Sequence, residues 1–123
     1  MFNPFQKEKK DPKDLNEAIA YIKEVDGKID KLVQELTDLR KKHKWTVQKV
    51  GIVRFNPFHE VGSDQSFSLA LLDENNDGVV ISSLYTREEN RIYGKPIKNT
   101  QSEYSLSDEE KKAIEIAMAP KNE

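Results

Sequence analysis

The sequence predicts an α+β protein: a long N-terminal coiled-coil helix, a four-stranded antiparallel β-meander and a short C-terminal helix packed on the sheet. Three observations carry this expectation. An apolar heptad repeat runs through the first third of the chain. Beyond it, the apolar residues follow the alternation of strands instead. Near the end, Ser107-Asp108-Glu109-Glu110 has the form of a capping box ahead of a short apolar run. The implied division is a disordered tail at 1–10, a coiled-coil helix at 11–46, a small α+β domain at 47–118 and a C-terminal tail at 119–123.

The helix comes first. Asp11-Pro12 reads as its start, because aspartate caps well and proline suits the first helical position, while Asp14 adds negative charge to the first turn. One seam position then holds Leu15, Ile22, Ile29, Leu36 and His43, and the other Ala18, Val25, Leu32, Leu39 and Thr46. Ile19 and Val33 widen the stripe on one side, which leaves the number of associating chains open. Gly27 falls on the outer face, where it costs helix propensity of about 1 kcal/mol and disturbs no packing. Arg40-Lys41-Lys42-His43-Lys44 closes the helix with cations that complement its dipole. A helix of about 33 residues is about 50 Å long. A strand spans only about 17–20 Å. The helix therefore outruns any sheet of its own, and the seam of Leu15, Ile22, Val25, Ile29, Leu32, Leu36 and Leu39 predicts a homo-oligomer.

The strands follow. Val47 to Phe55 is rich in β-formers, and Phe55 to Gln65 is one long loop. Ser66 to Leu72 and Val79 to Tyr85 flank a polar run ending in Asp77-Gly78, a hairpin signal. Arg87 to Asn90 separates the third strand from Arg91 to Ile97, where Pro96 marks an edge. Pairing Asp73 with Gly78 would gather Phe67, Leu69, Leu71, Val80, Leu84, Tyr93 and Ile97 on a core face. Ala70, Leu72, Ile81, Tyr85 and Ile92 would then lie on the other, and a slip of one residue would exchange the two. The last helix, Asp108 to about Met118, offers Ala113, Ile114, Ala117 and Met118 as cover.

Composition narrows the function classes. With no cysteine among 123 residues, disulfides and thiolate metal sites are excluded, and the expected location is the cytoplasm. The longest apolar run, Leu69 to Leu72, is far too short to span a bilayer. Residues 1–49 carry 12 Lys/Arg against 9 Asp/Glu and residues 50–123 carry 8 against 13, so the β-half is acidic. That balance argues against specific nucleic-acid binding.

A longer string of the β-half points to a family. It runs from Val50-Gly51-Ile52-Val53-Arg54-Phe55-Asn56-Pro57-Phe58 through Ser66-Phe67-Ser68-Leu69-Ala70-Leu71-Leu72-Asp73 and Gly78-Val79-Val80. It continues with Arg87, Arg91-Ile92-Tyr93-Gly94-Lys95-Pro96-Ile97 and Leu106-Ser107-Asp108-Glu109-Glu110. Over about residues 49–116 this text resembles domain of unknown function 4446, a group of small bacterial proteins. The resemblance implies a bacterial origin and no assigned activity. Many relatives look membrane-anchored, with an apolar segment ahead of the coiled coil. This chain departs there, reading Phe-Asn-Pro-Phe and lysines, so only peripheral proximity to a membrane is expected.

Three motifs bear on chemistry. Asp73-Glu74-Asn75-Asn76-Asp77-Gly78 opens like a calcium loop, but the twelfth position is Leu84 rather than a bidentate glutamate. A turn accounts for it better, so no metal site is expected. His59 stands near Glu60, Asp64 and Ser66, yet the chain lacks a nucleophile elbow, and no catalytic residue or cofactor is expected. The remaining candidate is a cationic set, Arg54, Arg87, Arg91 and Lys95 with Tyr93, whose guanidinium forks suit carboxylate or phosphate groups. Its competitor is local pairing with Glu88, Glu89 and Asp73. The expectation is a non-enzymatic interaction or scaffold module with an unidentified protein partner. The alternative is binding of an anionic ligand, nucleotide or acidic peptide through the cationic set.

Overall fold

A computed structural model describes residues 13–57 and 65–121. The elements run α1 (Leu15–His43), β1 (Lys49–Phe55), β2 (Ser66–Leu72), β3 (Gly78–Tyr85), β4 (Asn90–Ile97) and α2 (Asp108–Met118). The chain divides after Lys42 into two compact units, the first helical and the second holding the sheet and α2.

In the first unit, α1 is a 29-residue helix, about 43 Å long at its rise per residue. The expected Asp11-Pro12 start lies outside the described residues. The structure instead shows Asp14 capping α1: its Oδ1 accepts from the Glu17 amide at 2.8 Å, while Glu17 Oε2 accepts from the Lys13 amide at 2.6 Å. Asp14-x-x-Glu17 thus acts as a near-relative of the capping box. No residue of α1 is buried. Leu15, Ile22, Ile29, Leu36 and Leu39 all stand exposed, and Val25 and Leu32 are half-buried. At the other end, the His43 carbonyl accepts from the Thr46 amide and hydroxyl and from the Gln48 side chain.

In the second unit the sheet order is β1-β2-β3-β4, antiparallel throughout, which is the expected meander. The register is not the expected one. Leu72 pairs with Gly78, and the Asp73 amide donates to the Asp77 carbonyl, one residue short of the Asp73–Gly78 pairing. The cause is a shorter loop. The Asn76 amide closes a turn onto the Asp73 carbonyl, and Asn76 takes a left-handed conformation with φ of 63°. Asp73 Oδ1 accepts from both the Asn75 and Asp77 amides, so the carboxylate braces the turn from inside. The slip exchanges the two faces of β2 relative to β3 and β4, so Val80 and Ile97 stay in the core. Phe67, Leu69 and Leu71 leave the core, and Ala70 and Leu72 enter it.

The core therefore consists of Ala70, Leu72, Val80 and Ile97 under Ala113, Ile114 and Ala117 of α2. Met118, expected to help cover the sheet, is exposed. Tyr93 is exposed as well, and Leu84 is half-buried. The close seat of α2 depends on Gly51. A Cβ there would lie 2.2 Å from the Ala113 carbonyl oxygen and 2.6 Å from the Ala117 nitrogen, both backbone atoms of α2. Gly51→Ala is expected to lift α2 and cost about 1–3 kcal/mol in urea unfolding. Gly27→Ala has no atom within 4 Å of the added carbon and should instead stabilise α1, by about 1 kcal/mol.

Among the described residues of this unit, none forms a second layer on the opposite face of the sheet. Alternation places Val50 and Ile52 of β1, Phe67, Leu69 and Leu71 of β2, Val79, Ile81 and Tyr85 of β3, and Ile92 and Pro96 of β4 on it. Ile52 is 52% exposed and Ile92 is 69% exposed.

Candidate functional site

The residues with the most distinctive chemistry gather where α2 begins. Ser107 caps the helix, accepting from the Glu110 amide, and its own amide donates to Glu110 Oε1 at 2.8 Å. The capping box is thus as the sequence predicts. What the sequence reading missed is where the rest of Glu110 goes. The side chain turns into the sheet and is 1% exposed. There Lys95 Nζ donates to Oε1 at 2.7 Å, and the Ser82 hydroxyl donates to Oε2 at 2.8 Å. Since Ser82 has one proton and gives it to Glu110, the 2.7 Å contact between Ser68 and Ser82 must have Ser68 as donor. Lys95 also donates to the Ser105 carbonyl at 2.7 Å. Burial pushes the Glu110 carboxyl up, but the hydrogen bonds from Lys95, Ser107 and Ser82 and the Lys95 charge outweigh it. The net effect holds it below the usual glutamate range.

A pocket of about 350 Å³ opens beside this network, lined by Phe55, Pro57, Leu84 and Tyr93 together with Lys95 and Glu110. Its ammonium and carboxylate pair with each other, and the Ser82 hydroxyl donates to that same carboxylate. The arrangement is suited to holding α2 on the sheet, with an apolar rim able to admit a side chain.

The cationic set is only partly brought together. Arg91, Tyr93 and Lys95 alternate along β4 on the α2 side. The Arg91 guanidinium is raised above its ordinary value by hydrogen bonds with Tyr93 and then Glu89, the latter at 2.9 Å. Arg54 lies on β1, at the opposite edge of the sheet, with the residues of the open face. Arg87 sits in the β3–β4 connection. The triad drawn around His59, Glu60 and Asp64 lies outside the described residues. Ser66, its remaining member, is buried and accepts from the Tyr85 amide. Among the described residues, no three His, Cys, Asp or Glu side chains group as metal ligands. With the Asp73 carboxylate already committed to two amides, calcium titrated into the protein by calorimetry is expected to give no specific heat. A micromolar site would overturn the turn reading of residues 73–78.

A family model, described as "Protein of unknown function (DUF4446)", matches residues 1–118. The chain belongs to this family. The match covers α1 as well as the sheet and α2, so it extends well N-terminal of the 49–116 stretch that carries the resemblance. No curated protein and no solved structure matches the chain. In this DUF4446 protein, no described helix is long and apolar enough to cross a membrane.

Proposed function

We propose that this DUF4446 protein is a non-enzymatic, cytoplasmic scaffold that self-associates as a coiled coil through α1 and displays its β-domain on the assembly. The observation that carries the reading is the heptad seam of Leu15, Ile22, Val25, Ile29, Leu32, Leu36 and Leu39 on a helix with no buried residue. A 3.5-residue apolar repeat is what two or more helices need to bury a continuous seam against one another. The polar network at Glu110 is consistent with a structural role for this end of α2, because Lys95, Ser82 and the Ser107 amide all donate to its carboxylate. Sedimentation velocity of the full chain is the test, and a monomer at high micromolar concentration would overturn it.

A second reading, an anionic ligand or acidic peptide bound at β4, draws on the shared face of Arg91, Tyr93 and Lys95. If it holds, Arg91→Ala should abolish binding of inorganic phosphate or an acidic peptide, with the thermal midpoint shifted by less than about 2 °C, as for other exposed ion pairs. Lys95→Ala cannot serve as the matching variant, because Lys95 also anchors Glu110.

A further inference from the structure

Among the described residues, the open face of the sheet carries apolar residues on all four strands, exposed at Val50, Ile52 and Ile92 and half-buried at Leu69 and Ile81, and the one cation on these strands' outer face, Arg54, sits near a corner. Such a face offers no charge pattern to an acidic or basic ligand, and no like charges at its centre to keep two copies apart. Four strands of about seven residues give it a plan area of about 450 Å², from a strand spacing near 4.8 Å and a rise near 3.4 Å. That is at the size at which exposed apolar patches become functional. It is also only about half of the roughly 800 Å² per partner that a free-standing complex needs. A partner arriving from solution must meet the whole cost of association with this face alone. A second copy held by α1 has met that cost already, and tethering raises its effective concentration to the order of millimolar. The connection is short enough for this, since α1 ends at His43 and β1 begins at Lys49.

We infer that the open sheet face pairs with the same face of a second copy of this chain, forming a β-sandwich across the assembly. The inference rests on the coiled-coil reading of α1, which supplies the tether. Two sheets stacked about 10 Å apart bury their apolar side chains between them. Pairing of this kind is isologous, so a residue near the centre of the face, such as Ile81, meets its own counterpart.

The chain has no cysteine, so single cysteines report directly. Full-length Ile81→Cys should cross-link between copies with a short bis-maleimide at least tenfold faster than Lys112→Cys, placed on the exposed side of α2. Leu69→Cys, directly opposite Ile81 on the other central strand, should do likewise and covers the case in which Ile81→Cys folds poorly. Adding Ile92→Lys, at a highly exposed position, should slow the Ile81→Cys reaction at least tenfold while sedimentation still gives the wild-type assembly. A wild-type oligomer in which neither face cysteine outruns Lys112→Cys would overturn the sheet pairing alone and leave the face to another occupant. A monomeric wild type would remove the tether and overturn both readings.

Discussion

Ile29→Asp is expected to sediment as a monomer at concentrations where the wild-type chain sediments as an oligomer. Ile29 lies near the middle of the seam and is half exposed on α1, so the change costs the isolated helix little beyond propensity. In a coiled coil the same side chain becomes a knob in a hole of the facing helix. Each chain would then bring a carboxylate into an apolar contact, with another carboxylate from its partner close by. Burying an unpaired charge costs several kcal/mol. About 3 kcal/mol would already weaken association about 100-fold. Asp30→Ala is the informative comparison, because its neighbouring position removes a charge outside the seam and should leave the assembly intact. If Ile29→Asp and the wild type sediment alike, the seam is not the interface. The helical content of the variant, read by circular dichroism, separates loss of partner from loss of helix. Helices of this length gain most of their stability from packing, so some fraying of α1 should accompany dissociation.

Much of this architecture was legible in the sequence, and the misses have physical causes. The β2–β3 turn and the start of α2 follow from Asp-Gly and the capping box, which are local signals with local consequences. The sheet register was not legible, because it hangs on whether the loop after Leu72 closes at Asp77 or at Gly78. That choice is made by Asn76 entering the left-handed region and by the Asp73 carboxylate, neither of which a hydrophobic pattern reveals. Both faces of β2 are acceptable as core by composition: Phe67, Leu69 and Leu71 on one, Ala70 and Leu72 with two serines on the other. The smaller face won, because only small side chains let α2 approach as closely as Gly51 requires. The site was hidden by the same slip. Ser82 donates to Glu110, and Ser68, which the expected register would have turned to the opposite face, hydrogen-bonds Ser82. A signal was present: serines on β2 and β3 pair with each other, and a lysine on the edge strand β4 stands within reach of the same capping glutamate.

That buried carboxylate sets the second large effect, an acid sensitivity of the β-domain that Glu110→Gln should largely remove along with much of the stability. The folded-state pKa of Glu110 is lowered, so the native protein favours the ionised form more than the unfolded chain does. An unfolded glutamate titrates near about 4.3. The contribution is therefore fully present above that value and is lost as pH falls from there through the lower native pKa. The thermal midpoint should hold steady from about pH 7 to pH 5 and fall below about pH 4.5, more steeply in the wild type than in Glu110→Gln. At neutral pH the variant keeps the shape of the side chain but leaves Lys95, largely buried, without its carboxylate. Removing one partner of a buried pair costs about 3–5 kcal/mol. Lys95 retains some access to water and the Ser105 carbonyl, which places the expected loss at the lower end, about 2–4 kcal/mol. For a domain of this size that is roughly 10–20 °C in midpoint. Lys95→Met should cost less, because Glu110 keeps the Ser82 hydroxyl and the Ser107 amide. In Lys95→Met/Glu110→Gln the two losses should fall short of their sum by at least about 1 kcal/mol, since neither charge is then left alone. Additive losses, or an acid profile unchanged by Glu110→Gln, would mean that the pair is a surface contact and that α2 is held by Ala113, Ile114 and Ala117 alone.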